Sequence, residues 1–266
     1  MRAGARALDL KRLPGFGATA WFCLAILYAP IAVLVVFSFN ASRSVTVWSE
    51  FSLSWYGKAI GNTGIQQAAG NSLKVAVVAM LAATVVATAA AFATARGQRF
   101  RGDATAYLVI NLPLIVPEIV TAVATLSFFA LIGLSLGLGN VMLAHTVFCI
   151  PFAYLPIRAR LEGMDRTLEE AAADLYATPW RVFRRIILPL LAPGIVAGAM
   201  LAFIVSLDDY IITAMVAGAG QTTLPVYIYS QIRQGVTPEI NAVSTILLMV
   251  SILFVSLSFV IGRKHR

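Results

Sequence analysis

Residues 162–189 have the sequence EGMDRTLEEAAADLYATPWRVFRRIILP, a charged segment between two long hydrophobic runs. The rest of the chain avoids charge, since 59% of its 266 residues are hydrophobic and only 12% are charged. Soluble domains carry about 25% charged residues, so the composition indicates an integral membrane protein. A membrane protein that keeps such a segment between its spans is expected to offer it to a soluble partner.

Six runs of roughly 20 apolar residues predict six transmembrane helices, and therefore an all-α membrane protein with one membrane domain. They cover residues 19–39, 75–95, 104–132, 140–157, 190–207 and 242–261. The third run is long and contains Pro113, Pro117 and Glu118, so we expect a kink or a break into two pieces there. The first run could be a cleaved signal peptide, but its length favours a retained helix, because signal peptides have hydrophobic regions of about 7–15 residues.

The Lys and Arg residues predict the orientation, because cytoplasmic loops next to the spans collect positive charge. If the N-terminus is inside, 16 of the 20 basic residues fall on the inner side. The outer side keeps only Arg43, Lys58, Lys74 and Arg233. Both termini and residues 162–189 are therefore expected in the cytoplasm. The net charge of +8 follows from this topology and gives no reason to expect a nucleic-acid partner.

Sequence signatures of enzymes and metal sites are missing. The chain has no G-x-x-x-x-G-K-[ST] phosphate loop, so we do not expect it to bind and hydrolyse ATP itself. It has only two histidines, His145 and His265, and no Cys or His cluster with the spacing of a metal site. We therefore predict no metal, no catalytic residue and no cofactor in this chain. His145 is expected to be a packed, hydrogen-bonded helix residue.

The charged segment predicts two short helices. Thr167 followed by Glu170 fits a capping box, in which the hydroxyl accepts from the Glu170 amide and the carboxylate reaches back. Thr178 as N-cap and Pro179 at the first helical position start the second helix. Leu188-Pro189 is expected to end this helix before the fifth span. The segment is therefore expected to form two short helices joined by a turn on the inner membrane face.

The motif Glu170-Ala171-Ala172, with Ile187-Leu188-Pro189 downstream, resembles the EAA loop of inner-membrane permease subunits of type I bacterial ABC importers. The resemblance covers about residues 67–260 and includes the six-span topology. It implies the type I permease fold, with the segment 162–189 as a coupling helix that docks on an ATPase subunit. ATP and Mg would be bound by that partner. The implied coupling residues are Glu170, Ala171, Ala172, Tyr176, Ala177 and Pro189.

With the resemblance, the chain divides into an N-terminal tail (residues 1–18), a first transmembrane helix (19–39), a transmembrane domain (67–260) that contains the coupling segment, and a basic C-terminal tail (261–266). Two points inside the coupling segment stay open. The family usually has Gly six residues after the motif Glu, where this chain has Tyr176. Since Gly suits a positive φ, either Tyr176 is left-handed or the turn is built differently. Glu170 either caps its own helix only or also contacts the ATPase, and the resemblance favours contact.

Three carboxylates lie in or at the edge of the predicted spans, where ionisable groups indicate function. Counting about 1.5 Å per helical residue puts Glu118 past the membrane midplane and Asp208 and Asp209 near the outer surface. We expect all three to line the outward part of a path for a cation, with Pro113 and Pro117 as bend points for gating. The alternative is that the two aspartates only end the fifth helix and that Glu118 satisfies a backbone break.

The substrate prediction comes from a second resemblance. SLDD at residues 206–209, TTLP at 222–225 and GVTPEINA at 235–242 are similar to the spermidine/putrescine branch of these permeases. This implies a polyamine as cargo, although another small organic solute, such as an amino-acid derivative or an opine-like compound, stays open. The implied partners are a second homologous permease, two ATP-binding subunits, and a periplasmic binding protein that meets an outer segment at residues 218–241.

The implied location is the bacterial inner membrane. A secondary transporter is a less favoured alternative, because it would be expected to show inverted internal repeats, and none is evident. A membrane enzyme would need a nucleophile or metal constellation, which the sequence does not show.

Overall fold

The protein is almost entirely helical. The computed structural model describes residues 16–44, 47–96, 102–134, 137–235 and 237–263. In these residues the one β feature is an isolated bridge between Asn40 and Phe51. The helices are α1 (Phe16–Phe37), α2 (Ser54–Gly61), α3 (Thr63–Ala95), α4 (Asp103–Ile115), α5 (Glu118–Leu131), α6 (Leu138–Glu162), α7 (Thr167–Asp174), α8 (Pro179–Val182), α9 (Leu188–Asp208), α10 (Ile211–Val216), α11 (Leu224–Gln234) and α12 (Pro238–Arg263).

Five helical runs are long and apolar enough to cross a membrane, and the pair α4 and α5 makes a sixth if it is counted as one bent span. The two helices of this pair are bent by 108°. Pro117 stands immediately before α5, and Val116 before it is extended, with φ −79° and ψ 134°. Because a residue that precedes proline disfavours the helical region, the helix ends there. The break expected in the third apolar run is confirmed. Pro113 lies inside α4 without ending it.

The helix after the coupling turn continues into the membrane. α8 runs through a π-helical turn, Phe183–Ile187, directly into α9, and the whole run Pro179–Asp208 is 30 residues long. The expectation that Leu188-Pro189 ends this helix is therefore wrong. The Leu188 amide donates to the Phe183 carbonyl five residues back. Proline lacks an N–H and clashes with the turn before it, and the wider π turn accommodates both effects.

Helices α3, α6 and α9 pack against one another and form the centre of the molecule. Helices α6 and α9 approach each other closely at Gly194 and Gly198. A Cβ atom on Gly198 would lie 2.5 Å from the Ala153 carbonyl oxygen, and one on Gly194 would lie 2.6 Å from Arg160 Cβ. Residues four apart share a helix face, so the two glycines form the small-residue contact that is typical of membrane helices.

The bundle has two distinct ends. At one end, which we call the loop end, α3 and α6 end and the short helices α7 and α8 are located. At the far end, α3 and α12 begin and α11 packs between them. Four hydrogen bonds join the far end: Asn62 Nδ2 to Glu239 Oε1 (2.9 Å), the Leu224 amide to Ser72 Oγ (2.7 Å), Asn71 Nδ2 to the Thr222 carbonyl (3.1 Å), and Gln67 Nε2 to the Gly220 carbonyl (3.3 Å). The predicted outer segment 218–241 thus contains a helix, α11, that is fixed to the far end.

Candidate functional site

The coupling segment, residues 162–189, is called the coupling loop from here on. Its first helix begins with a hydrogen bond that differs from the predicted capping box. α7 starts at Thr167, and the Thr167 amide donates to Asp165 Oδ1 at 3.0 Å. This hydrogen bond lowers the pKa of the Asp165 carboxyl. The predicted capping box is wrong, because Thr167 is the first helical residue and the Glu170 amide donates to the Arg166 carbonyl instead. An ionised carboxylate is a stronger acceptor than a hydroxyl, which explains why Asp165 takes this position.

The loop turns at Tyr176, which has a positive φ of 56°. The Ala177 amide donates to the Ala172 carbonyl (3.0 Å) and the Tyr176 amide to the Ala173 carbonyl (2.9 Å). This pair of bonds is the Schellman ending of a helix, whose left-handed position is usually glycine. Of the two alternatives left open by the sequence, the structure shows the left-handed one. α8 then begins at Pro179, with Thr178 before it, as predicted, although the Thr178 hydroxyl makes no capping bond.

The outer surface of the loop combines one acid with large apolar side chains. Glu170 and Ala171 are exposed, and Glu170 forms no ion pair with any residue that the structure describes. Tyr176 is 94% exposed, and its neighbours Leu175 and Trp180 are 82% and 67% exposed. The other predicted coupling residues are placed differently: Ala172 is buried, Ala177 is half-buried, and Pro189 is exposed at the start of α9. Leu175 and Trp180 were not among the predicted coupling residues, although large apolar residues in a charged segment indicate a contact surface.

Arg96, at the end of α3, holds the coupling loop against the helix bundle through hydrogen bonds and an ion pair. Its Nη2 donates to the carbonyls of Leu161 and Met164, both at 2.9 Å, and its Nη1 lies 3.3 Å from Glu169 Oε1. The Arg96 side chain is only 5% exposed. One guanidinium therefore joins α3, the end of α6 and the coupling helix α7. From the sequence, Arg96 was interpreted only as a positive charge on the cytoplasmic side, since nothing local predicts this pairing. The adjacent glutamates divide their roles, with Glu169 facing the bundle and Glu170 facing outward.

The second candidate site is a cavity of about 480 Å³ that the three predicted carboxylates line together. Asp208 is exposed, Glu118 is half-buried and Asp209 is only 6% exposed. The break at Pro117 places Glu118 at the start of α5, and the end of α9 places the two aspartates beside it. The carboxyl groups of Glu118 and Asp209 are close enough for their charges to interact. The remaining walls are apolar and aromatic and include Phe148, Phe152, Ile204, Val205, Tyr210 and Ile211.

Asp209 is held by residues of two other helices. Its Oδ1 accepts from the Thr213 amide at 3.1 Å and lies 3.2 Å from His145 Nε2. His145 also lies 2.8 Å from Ser206 Oγ through Nδ1 and 2.9 Å from Thr213 Oγ1 through Nε2. The prediction that His145 is a packed, hydrogen-bonded residue is confirmed, since it is 1% exposed. α9 does end at these aspartates, but the Asp209 side chain turns inward to the bundle.

Comparison with known proteins identifies the family. The family model of the binding-protein-dependent transport system inner membrane component matches residues 87–264. The chain belongs to this family. It is therefore an integral, multi-pass protein of the inner membrane and a component of a transport system. The resemblance to importer permeases, predicted from the EAA motif, is confirmed.

Two relatives and one solved structure add detail. The chain is 42% identical over 228 residues to the putrescine transport system permease protein PotI of Escherichia coli K12, covering 84% of this chain and 81% of the relative. It is 41% identical over 241 residues to the spermidine/putrescine transport system permease protein PotC of Haemophilus influenzae, covering 91% and 93%. A bacterial ABC transporter that imports the acidic polysaccharide alginate matches with a TM-score of 0.69, at 17% identity and over 99% of both chains. The fold is therefore that of an ABC importer permease.

Proposed function

We propose that this chain is the permease subunit of an ATP-driven importer and that it forms part of the membrane path for a polyamine such as putrescine or spermidine. The observation that carries the proposal is the meeting of Glu118, Asp208 and Asp209 at one cavity, in a chain with only 12 acidic residues among 266. The names of the two relatives support the same substrate class.

The cavity suits a flexible diammonium cation. Carboxylates replace the hydration of an ammonium group through charge-assisted hydrogen bonds, which are stronger than neutral ones. Phe148, Phe152 and Tyr210 in the same wall can face the cation with their rings and can pack against the methylene chain. The volume of about 480 Å³ lies within the usual range of small-molecule sites, about 300–1,000 Å³.

The motion of the ATPase would be transmitted to the permease through the coupling loop. The exposed side chains of Glu170, Leu175, Tyr176 and Trp180, all within 11 consecutive residues, would provide the contacts with a soluble ATPase. The ATPase dimer would bind ATP and Mg, a second homologous permease would complete the path, and a periplasmic binding protein would deliver cargo near α11. With the loop and both termini in the cytoplasm, closure of the ATPase dimer would shift the permease between inward- and outward-open states.

Uptake of labelled putrescine by the whole transporter, reconstituted in lipid vesicles with ATP inside, tests the path. Asp209→Asn is expected to raise the KM by about 30-fold, which corresponds to about 2 kcal/mol for one lost charge pair. Glu50→Gln, at an exposed carboxylate that does not line the cavity, is the control and should leave the KM unchanged. A normal KM for Asp209→Asn would contradict the proposed path.

A further inference from the structure

The hydrogen bonds of Asp209 are unevenly divided between its two oxygens. Oδ1 is surrounded by three donors, the Thr213 amide (3.1 Å), the Thr213 hydroxyl (3.4 Å) and His145 Nε2 (3.2 Å). Oδ2 is buried and has no hydrogen-bond partner among the described residues. The side chain is 1% exposed, and the residue lines the cavity that it shares with Glu118 and Asp208. One oxygen is therefore fixed by the protein, while the other is buried without a hydrogen bond from the described residues, in a residue that lines the cavity beside Glu118.

The tautomer of His145 follows from its partners. An ionised carboxylate oxygen can only accept hydrogen bonds, so the imidazole nitrogen that lies 3.2 Å from Asp209 Oδ1 must be a donor, and Nε2 therefore carries the proton. Nδ1 then accepts from the Ser206 hydroxyl at 2.8 Å. The imidazole is thus fixed at both nitrogens between α9 and α10, and its orientation is set by the chain and not by cargo.

Packing alone does not explain this arrangement. A buried polar group is costly unless its hydrogen bonds are made, and an unpaired buried carboxylate oxygen costs more than an apolar side chain of the same size. An apolar residue at position 145 with a small polar residue at 209 would fill the same space without that cost. An unpaired oxygen on a carboxylate of the cavity wall is instead what a cation-binding residue is expected to have before its cation binds.

We propose that His145 is a positioning residue for cation transport: together with Thr213 it fixes Oδ1 of Asp209 and so holds this carboxylate, with its unpaired Oδ2, in the cavity wall, where it can bind an ammonium group. This role rests on the proposed function of the cavity. His145 does not touch the cargo. It lowers the cost of binding because Oδ1 and the plane of the carboxylate are already held in place before the ammonium arrives.

Two amide substitutions separate this role from simple packing. The side-chain amide of Gln places its nitrogen near the position of histidine Nε2, whereas that of Asn reaches only to the position of Nδ1. His145→Gln therefore keeps the donor to Asp209, and His145→Asn loses it. We expect His145→Gln to keep the wild-type KM for putrescine and His145→Asn to raise the KM by about 10-fold, or about 1.4 kcal/mol, with the maximal rate unchanged. Thr146→Ala, next in the chain and with its hydroxyl donating to the Met142 carbonyl of the same helix, is the packing control.

A double-variant cycle completes the test, with uptake measured in the reconstituted transporter and folding checked by thermal unfolding. If His145 acts through Asp209, His145→Asn has no further effect in the Asp209→Asn background. An equal loss in both backgrounds, or an equal KM for the Gln and Asn variants, would overturn the role of His145. A normal KM for Asp209→Asn alone would overturn the proposed path instead, so the two failures are distinguishable.

Discussion

Tyr176 holds a left-handed backbone conformation that costs most side chains roughly 1–2 kcal/mol. The residue is 94% exposed, so its ring gains little packing against the described residues to offset that cost. We therefore expect Tyr176→Gly to raise the unfolding free energy by about 1 kcal/mol, as measured by thermal unfolding of the purified permease. The ring itself is expected to serve the ATPase contact, so the same variant should bind the ATPase more weakly.

Tyr176→Asn is the matched control, because Asn tolerates the left-handed region but lacks the ring. It should weaken ATPase binding as much as Tyr176→Gly does. Full ATPase affinity in both variants would show that the aromatic ring has no part in coupling.

Helices α3, α6 and α7 meet at one guanidinium. Because Arg96 is 5% exposed and bonds to two carbonyls and Glu169, its removal leaves buried acceptors without partners. We expect Arg96→Met to destabilise the protein by about 3 kcal/mol and to uncouple the loop from α3. Glu170→Gln, one residue away from the Arg96 partner, should leave thermal stability unchanged. Equal stability losses in the two variants would contradict this division between Glu169 and Glu170.

The contact between α6 and α9 depends on the absence of a side chain at Gly198. A Cβ there would lie 2.5 Å from a backbone carbonyl, which cannot move without shifting α6. We expect Gly198→Ala to lower the unfolding free energy by about 2 kcal/mol. Gly70→Ala in α3, where a Cβ meets nothing within 4 Å, should stabilise the helix by about 0.5–1 kcal/mol instead. Thermal unfolding compares the two, and equal effects would contradict the close approach.

At the scale of the whole molecule, the sequence predicted the features that depend on local signals. Apolar runs predict spans because a bilayer fixes their length, and Pro117 predicts a break because proline constrains the residue before it. The ends of helices were predicted less well. A hydrogen bond to Asp165 replaces the predicted capping box, and a π turn lets the helix continue through Pro189.

The contacts that organise both candidate sites could not be predicted in this way. His145 and Ser206 are 61 residues apart in sequence, and Arg96 reaches Glu169 only because α3 and α6 end side by side. Neither pairing produces a periodic or compositional pattern in the sequence. The sequence therefore indicated which carboxylates matter, but not the partners that hold them.

In the proposed function, ATP-driven motion enters this permease at Glu170. The most direct test is substrate-stimulated ATP hydrolysis by the complete transporter in lipid, with the binding protein and putrescine present. Since Glu170 has no ion pair within the described chain, Glu170→Lys should leave folding intact and abolish the stimulation, whereas Glu50→Lys, in the segment between α1 and α2, should keep it. Undiminished stimulation in Glu170→Lys would contradict the coupling role of Glu170, as would failure of the wild-type chain to copurify with any ATPase.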